Sequence, residues 1–186
     1  MTFGPEQPAS EQVNDYATVK DFCRVFSEST DELYQLSFLL TADHRKAEQC
    51  FVAGLQDSVK ENHVFKQWAR SWAKRTIIQN AIRELKPRPL PISSPLGLPP
   101  CGVPLPSDQG RHFEVDFILA VDHFERFVFV MSILEHYSEH ETSILLGCSL
   151  RDVRETRARA IARLTNAQGA TFVSKATIET AQELAR

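Results

Sequence analysis

An all-α fold of two small helical domains joined by a proline-rich linker is what this sequence predicts, and three observations predict it. Eight of the ten prolines fall within residues 87–106 (PRPLPISSPLGLPPCGVPLP). Proline lacks the N–H that helix and sheet interiors need, so this stretch reads as extended linker. The blocks on either side, roughly 16–86 and 113–164, contain no proline and no sustained period-2 alternation, which argues against strands. Each block also carries Ser/Asp-x-x-Glu/Asp signals where its apolar runs begin, the signature of capped helix starts. The expected organisation is a flexible N-terminus at 1–15, a helical domain at 16–86, a linker at 87–112, a second helical domain at 113–164 and a tail at 165–186.

Block one is expected to hold three or four helices. Asp31 to Leu40 places Leu33, Leu36, Phe38, Leu39 and Leu40 on a broad stripe, with Ser29 and Glu32 spaced as a capping box. A helix from Ala47 to Val59 follows, then a long basic helix from Val64 to Leu85. In that helix Phe65, Trp68 and Trp72 lie three and four apart, a spacing that suits packing into the core. Lys66, Arg70 and Lys74 lie four apart on another face.

Block two reads as three helices. Asp122 and Glu125 open the first, which runs through Phe129 to about Leu134. Ser138 and Glu141 open a second that ends at Leu146 and Gly147. Ser149 and Asp152 cap a third that runs to Leu164, and the tail holds at most a short helix near Lys175–Leu184. Two helices joined by a short glycine-containing turn, the second one basic, describe a helix-turn-helix. The last helix carries Arg151, Arg154, Arg157, Arg159 and Arg163 against Asp152 and Glu155. Arginines on the first turns of such a helix can reach base edges and phosphates. The same form also serves protein contacts.

Charge is unevenly distributed. Residues 1–58 hold ten acids and four bases, whereas residues 60–86 hold seven bases and two acids. A localised basic surface of this kind faces a polyanion or is simply a solvated helix face. No run of apolar residues is long enough for a membrane span, and the N-terminus lacks a basic and apolar leader, so a cytoplasmic protein is expected. Cys23, Cys50, Cys101 and Cys148 form no CxxC pair and read as buried, reduced thiols. His136 and His140 are four apart but straddle the helix start at Ser138, so no metal or other cofactor is expected. Nucleophile-elbow, phosphate-loop, dinucleotide-fold and zinc-protease motifs are lacking, so the chain is not expected to be an enzyme.

Several stretches resemble one family. Phe129-Val130 through Tyr137-Ser138, Leu145-Leu146-Gly147-Cys148-Ser149, Val153-Arg154 and Arg159-Ala160-x-x-x-Leu164 look like region 4 of the bacterial extracytoplasmic-function sigma factors, and Arg126 falls in register. Leu33-Tyr34-x-Leu36 with Leu39-Leu40-Thr41-Ala42-Asp43, then Ala47-Glu48, Phe65-Lys66-x-Trp68 and Trp72-Ala73-Lys74, are similar to region 2. The resemblance covers about 130 of the 186 residues, and the proline-rich stretch stands where that family has its interdomain linker.

The resemblance implies a sigma factor-like transcription initiation protein that binds core RNA polymerase and promoter DNA, with an anti-sigma protein as a further partner. Region 2-like DNA contacts would come from Lys66, Arg70, Lys74, Arg75, Asn80 and Arg83. Region 4-like contacts would come from Arg151, Arg154, Glu155, Arg157 and Arg159. The polymerase-docking segment would be Glu48, Gln49, Val52, Ala53 and Gln56. That segment departs most from the family pattern. Acidic and polar positions have become Val52 and Ala53, and Gly54 in mid-helix costs roughly 1 kcal/mol relative to alanine. In the last helix Glu155 brings a carboxylate to the DNA side, and the family's asparagine is Arg75. These departures leave an alternative, a degenerate sigma-like regulator that binds polymerase or an anti-sigma partner without initiating transcription. A plain helical interaction protein is the third possibility.

Overall fold

The structure, a computed structural model, describes residues 15–60, 63–89 and 118–165. The described residues form an all-helical fold. In order come α1 (Val19–Glu28), α2 (Thr30–Thr41), α3 (His44–Lys60), a single 3-10 turn (Lys66–Trp68) and α4 (Ala69–Leu85). After a helical turn at 118–120 come α5 (His123–Phe129), a π-helical turn (Val130–Leu134), α6 (Glu139–Leu146) and α7 at residues 150–165. Most of the expected linker, the short helix expected in the tail, the N-terminal fourteen residues and Cys101 lie outside the described residues.

The helix starts show how local chemistry sets the boundaries. Thr18 and Asp21 form a capping box on α1, a start not among those expected. Ser138 and Glu141 form the expected box on α6, and Ser149 and Asp152 make the reciprocal bonds that open α7. Two expected boxes are corrected. Ser29 makes no side-chain cap bond: it also ends α1, and its backbone (φ −115°, ψ 24°) is not the extended one a cap residue adopts, while Glu32 reaches across to α4. Asp122 caps α5 through the N–H groups of Phe124 and Glu125, but Glu125 turns inward and bonds Arg163. Gly147, at φ +63°, ends α6 in the left-handed region that glycine adopts without steric cost.

The long helix expected from Val64 is also corrected. Val64 and Phe65 are extended and pair with the segment at 15–17: Ala17 N–H donates to the Val64 carbonyl at 2.6 Å and Lys66 N–H to that of Asp15 at 2.8 Å. Tyr16 stacks on Phe65 with ring centroids 4.8 Å apart. Only after the 3-10 turn does α4 begin, so Phe65 and Trp68 are out of helical phase with Trp72. Trp68 is accordingly 56% exposed, not core, while Trp72 is half-buried.

α2, α3 and α4 pack around Leu33, Leu36, Leu40, Cys50, Ala73, Ile77 and Ile78. α3 and α4 approach closely at Gly54. A Cβ there would lie 2.7 Å from Ile77 Cγ1, so the glycine is a contact point and not a defect of the helix. Beside it Thr76 Oγ1 donates to the Gly54 carbonyl at 3.1 Å and stands 2.9 Å from Ser58 Oγ. The same apolar cluster continues into block two through Ile118, Phe127, Val130, Met131 and Ala160. A smaller cluster of Phe124, Val128 and Val153 holds α5 and α7 together, with Leu146 from the end of α6 and Cys148 from the turn after it. Cys50 is buried, which pushes its thiol up to about 11, and Cys148 is half-buried. Cys23 is exposed, contrary to expectation.

Because the two blocks share one apolar cluster, cutting the chain between them should not release them. With a protease site placed between Pro87 and Arg111, the fragments are expected to co-elute from a sizing column at micromolar concentration. Elution as two independent species would show that the shared cluster contributes little.

Candidate nucleic-acid interface

α4 and the turn at 135–141, which includes the first residues of α6, border a cleft of about 650 Å³. One wall carries Trp68, Arg70, Trp72, Lys74 and Arg75; the other carries Glu135, His136, Tyr137 and Glu141. The fold therefore brings three of the expected region 2-like residues, Arg70, Lys74 and Arg75, to a single surface. Lys66 stands on the exposed 3-10 turn next to it. Asn80 and Arg83 lie elsewhere, against α3, where both donate to Asp57 Oδ2 at 3.1 and 2.6 Å. Burial alone would raise the Asp57 carboxyl, but the bonds from Arg83 and Asn80 outweigh it and hold the group below its usual range.

The cations in the cleft are not equally available. Lys74 Nζ donates to Glu32 Oε1 and Glu135 Oε2, both at 2.7 Å, and Arg70 also bonds Glu32. Burial works against the Lys74 charge, but its hydrogen bonds to Glu135 and Glu32 prevail and hold the ammonium above its ordinary range. The same bonds from Lys74 and Arg70 keep the Glu32 carboxyl low. Arg75 is half-buried, faces Tyr137 and Glu141, and has no carboxylate within ion-pair distance among the described residues. Burial pushes the Tyr137 hydroxyl up, with Glu135 adding to the effect. Trp68, with Phe65 edge-on at 5.3 Å, presents an exposed aromatic face at the rim.

α7 is the second candidate surface. Val153, Thr156 and Ala160 are buried, which turns Arg151, Arg154, Glu155 and Arg159 outward. Arg151 pairs with Glu155 at 2.6 Å. Arg154 and Arg157 both reach Glu139, at 2.7 and 3.3 Å, and the bond from Arg154 holds that carboxyl low. Arg159 Nη2 donates to Thr156 Oγ1 at 3.1 Å. The carboxylates that hold these arginines could not be paired with them from sequence spacing alone, except Glu155 at i+4.

The third is the outer face of α3. Glu48, Gln49, Val52 and Gln56 are exposed and Ala53 is half-buried, while Ala47, Cys50, Gly54 and Ser58 point inward. Val52 is an exposed apolar side chain at 46%. Among the described residues no helix is long and apolar enough to cross a membrane, and no group of His, Cys, Asp and Glu is placed to hold a metal ion. Comparison with family models, curated proteins and solved structures finds no match to this chain.

Proposed function

We propose that the chain is a sigma factor-like protein of transcription initiation. In this reading α7 takes duplex DNA, the α4 face takes a melted strand and the outer face of α3 docks on core RNA polymerase. The observation that carries the proposal is the α6–turn–α7 unit. Its buried side, centred on Val153, leaves Arg151, Arg154 and Arg159 outward on a helix whose start is capped by Ser149. An exposed arginine-bearing helix of this form fits the major groove. The rim tryptophan beside the cations of α4 fits single-strand binding, where bases stack on aromatic rings next to a basic groove.

Replacing Arg151, Arg154 and Arg159 with alanine is expected to weaken duplex binding and flatten its dependence on salt, by about one unit of slope for each phosphate left without its arginine. Fluorescence anisotropy with a labelled duplex across a salt series checks this. An unchanged slope would count against DNA binding by α7 and favour protein contact instead.

The exposed face of α3 favours a second reading. Apolar Val52 and Ala53 offer no charged hydrogen bonds, and such bonds contribute roughly 1.5–3 kcal/mol each. This suits a sigma-like regulator that docks weakly on polymerase, or binds an anti-sigma partner, without initiating. Titration of labelled core enzyme separates the two. The double change Val52→Gln, Ala53→Glu is expected to tighten binding; equal or weaker binding would remove α3 as a polymerase-docking face.

A further inference from the structure

We infer that the turn at 135–141 is an intramolecular competitor of nucleic acid, its carboxylates lying where a strand on α4 would place phosphates. This rests on the proposed strand-binding role of α4 and adds its regulation.

Three observations converge on it. First, Glu135 comes from block two yet bonds Lys74 of α4 at 2.7 Å, with little of either side chain exposed. Glu141 of the same segment faces Arg75. A phosphate approaching Lys74 must displace Glu135, and one approaching Arg75 meets the nearby negative charge of Glu141, because like charges at such range repel in a partly dehydrated cleft.

Second, the backbone is shaped to deliver Glu135. The helix after α5 widens to a π turn at Val130–Leu134, with Glu135 N–H donating to the Val130 carbonyl at 2.9 Å. His136 then sits at φ +57°, the left-handed region that non-glycine residues seldom occupy. Tyr137 N–H closes the turn on the Met131 carbonyl at 2.9 Å. Wide helical turns and left-handed non-glycine residues persist only where surrounding contacts hold them, and both occur together here.

Third, the cleft remains open behind the carboxylates, with exposed Trp68 at its rim. Displacing Glu135 therefore uncovers a ready site and need not rebuild α4. The apolar cluster of Phe127 and Met131, against which Tyr137 also packs, keeps the two blocks together, so the displacement is confined to Glu135 and its immediate neighbours.

The test uses the full chain and a fluorescein-labelled single-stranded oligonucleotide at fixed low salt. Glu135→Gln is expected to tighten binding about tenfold and to steepen its salt dependence, since Lys74 then keeps only Glu32 as a carboxylate partner and can turn to phosphate. Glu28→Gln, the same charge change at an exposed site on α1, is expected to leave affinity nearly unchanged. Adding Lys74→Ala to Glu135→Gln should cancel most of the gain, because Lys74 is the cation that Glu135 holds, whereas Arg75→Ala should weaken binding in either background. Amide exchange at residue 135 and its immediate neighbours should quicken in Glu135→Gln while protection at 127–131 is retained. If Glu135→Gln binds like the wild type while Arg75→Ala weakens binding, the competitor is overturned and the α4 site stands. If Arg75→Ala has no effect in either background, the α4 reading fails and the competitor falls with it.

Discussion

Replacing Arg126 with methionine is expected to lower stability by about 3 kcal/mol and to loosen block two first. Arg126 is 4% exposed, and its guanidinium serves the carbonyls of Ile118, Leu119 and Val121 at 3.1, 3.1 and 2.9 Å. Those carbonyls end the helical turn at 118–120, where no continuing helix supplies donors. A buried acceptor left unpaired costs about 1–3 kcal/mol, and water can reach the half-exposed Leu119 more readily than the other two. The change also removes a cation whose charge burial disfavours, with only nearby Asp122 supporting it. That relief offsets part of the loss, so the net effect stays near the cost of two unpaired carbonyls. Arg126→Lys should not rescue, since one ammonium cannot reproduce the planar fork that spans three acceptors. Urea unfolding of the full chain measures the effect. A loss below about 1 kcal/mol for Arg126→Met would show that the carbonyls find water at little cost.

Gly54→Ala is expected to destabilise the chain by about 1–2 kcal/mol, although alanine is the better helix former. Propensity alone would favour alanine by about 1 kcal/mol. The new methyl would stand 2.7 Å from Ile77 Cγ1 and 3.3 Å from the Ile77 backbone nitrogen. Ile77 is fully buried in the shared cluster and cannot swing aside, so α3 and α4 must part. Overpacking of this kind costs about 1–3 kcal/mol, and the separation also stretches the bond from Thr76 to the Gly54 carbonyl. Larger residues should do more harm. Thermal unfolding checks it, and a Gly54→Ala chain as stable as the wild type would mean the helices can separate freely. In the sequence Gly54 reads as damage to a docking helix; the tertiary contact gives it a reason that a one-dimensional reading lacks.

Trp68 shows the opposite failure. Its spacing from Phe65 and Trp72 describes one face of a continuous helix. The chain is not helical at Phe65, because that residue pairs with Tyr16, far earlier in sequence. A pairing that distant leaves no trace in local periodicity, and it resets the helical phase. The tryptophan expected in the core is thereby turned to the rim of the cleft.

The helical class, most helix boundaries and the helix-turn-helix with its glycine turn were legible in the residues. Each depends on interactions within a few positions: periodic burial, a capping side chain, a left-handed glycine. Which charges are free was not legible, because it depends on the folded arrangement. Glu32, Asp57, Glu135 and Glu139 each select cations far along the chain, at 38 positions' separation for Glu32 with Arg70 and 61 for Glu135 with Lys74. Charge composition counts Arg70, Lys74 and Arg154 as available to a polyanion, yet folding places a carboxylate on each. Coulomb attraction acts through space and not along the sequence, so the basic surface could be located from residues 60–86, but its occupancy could not.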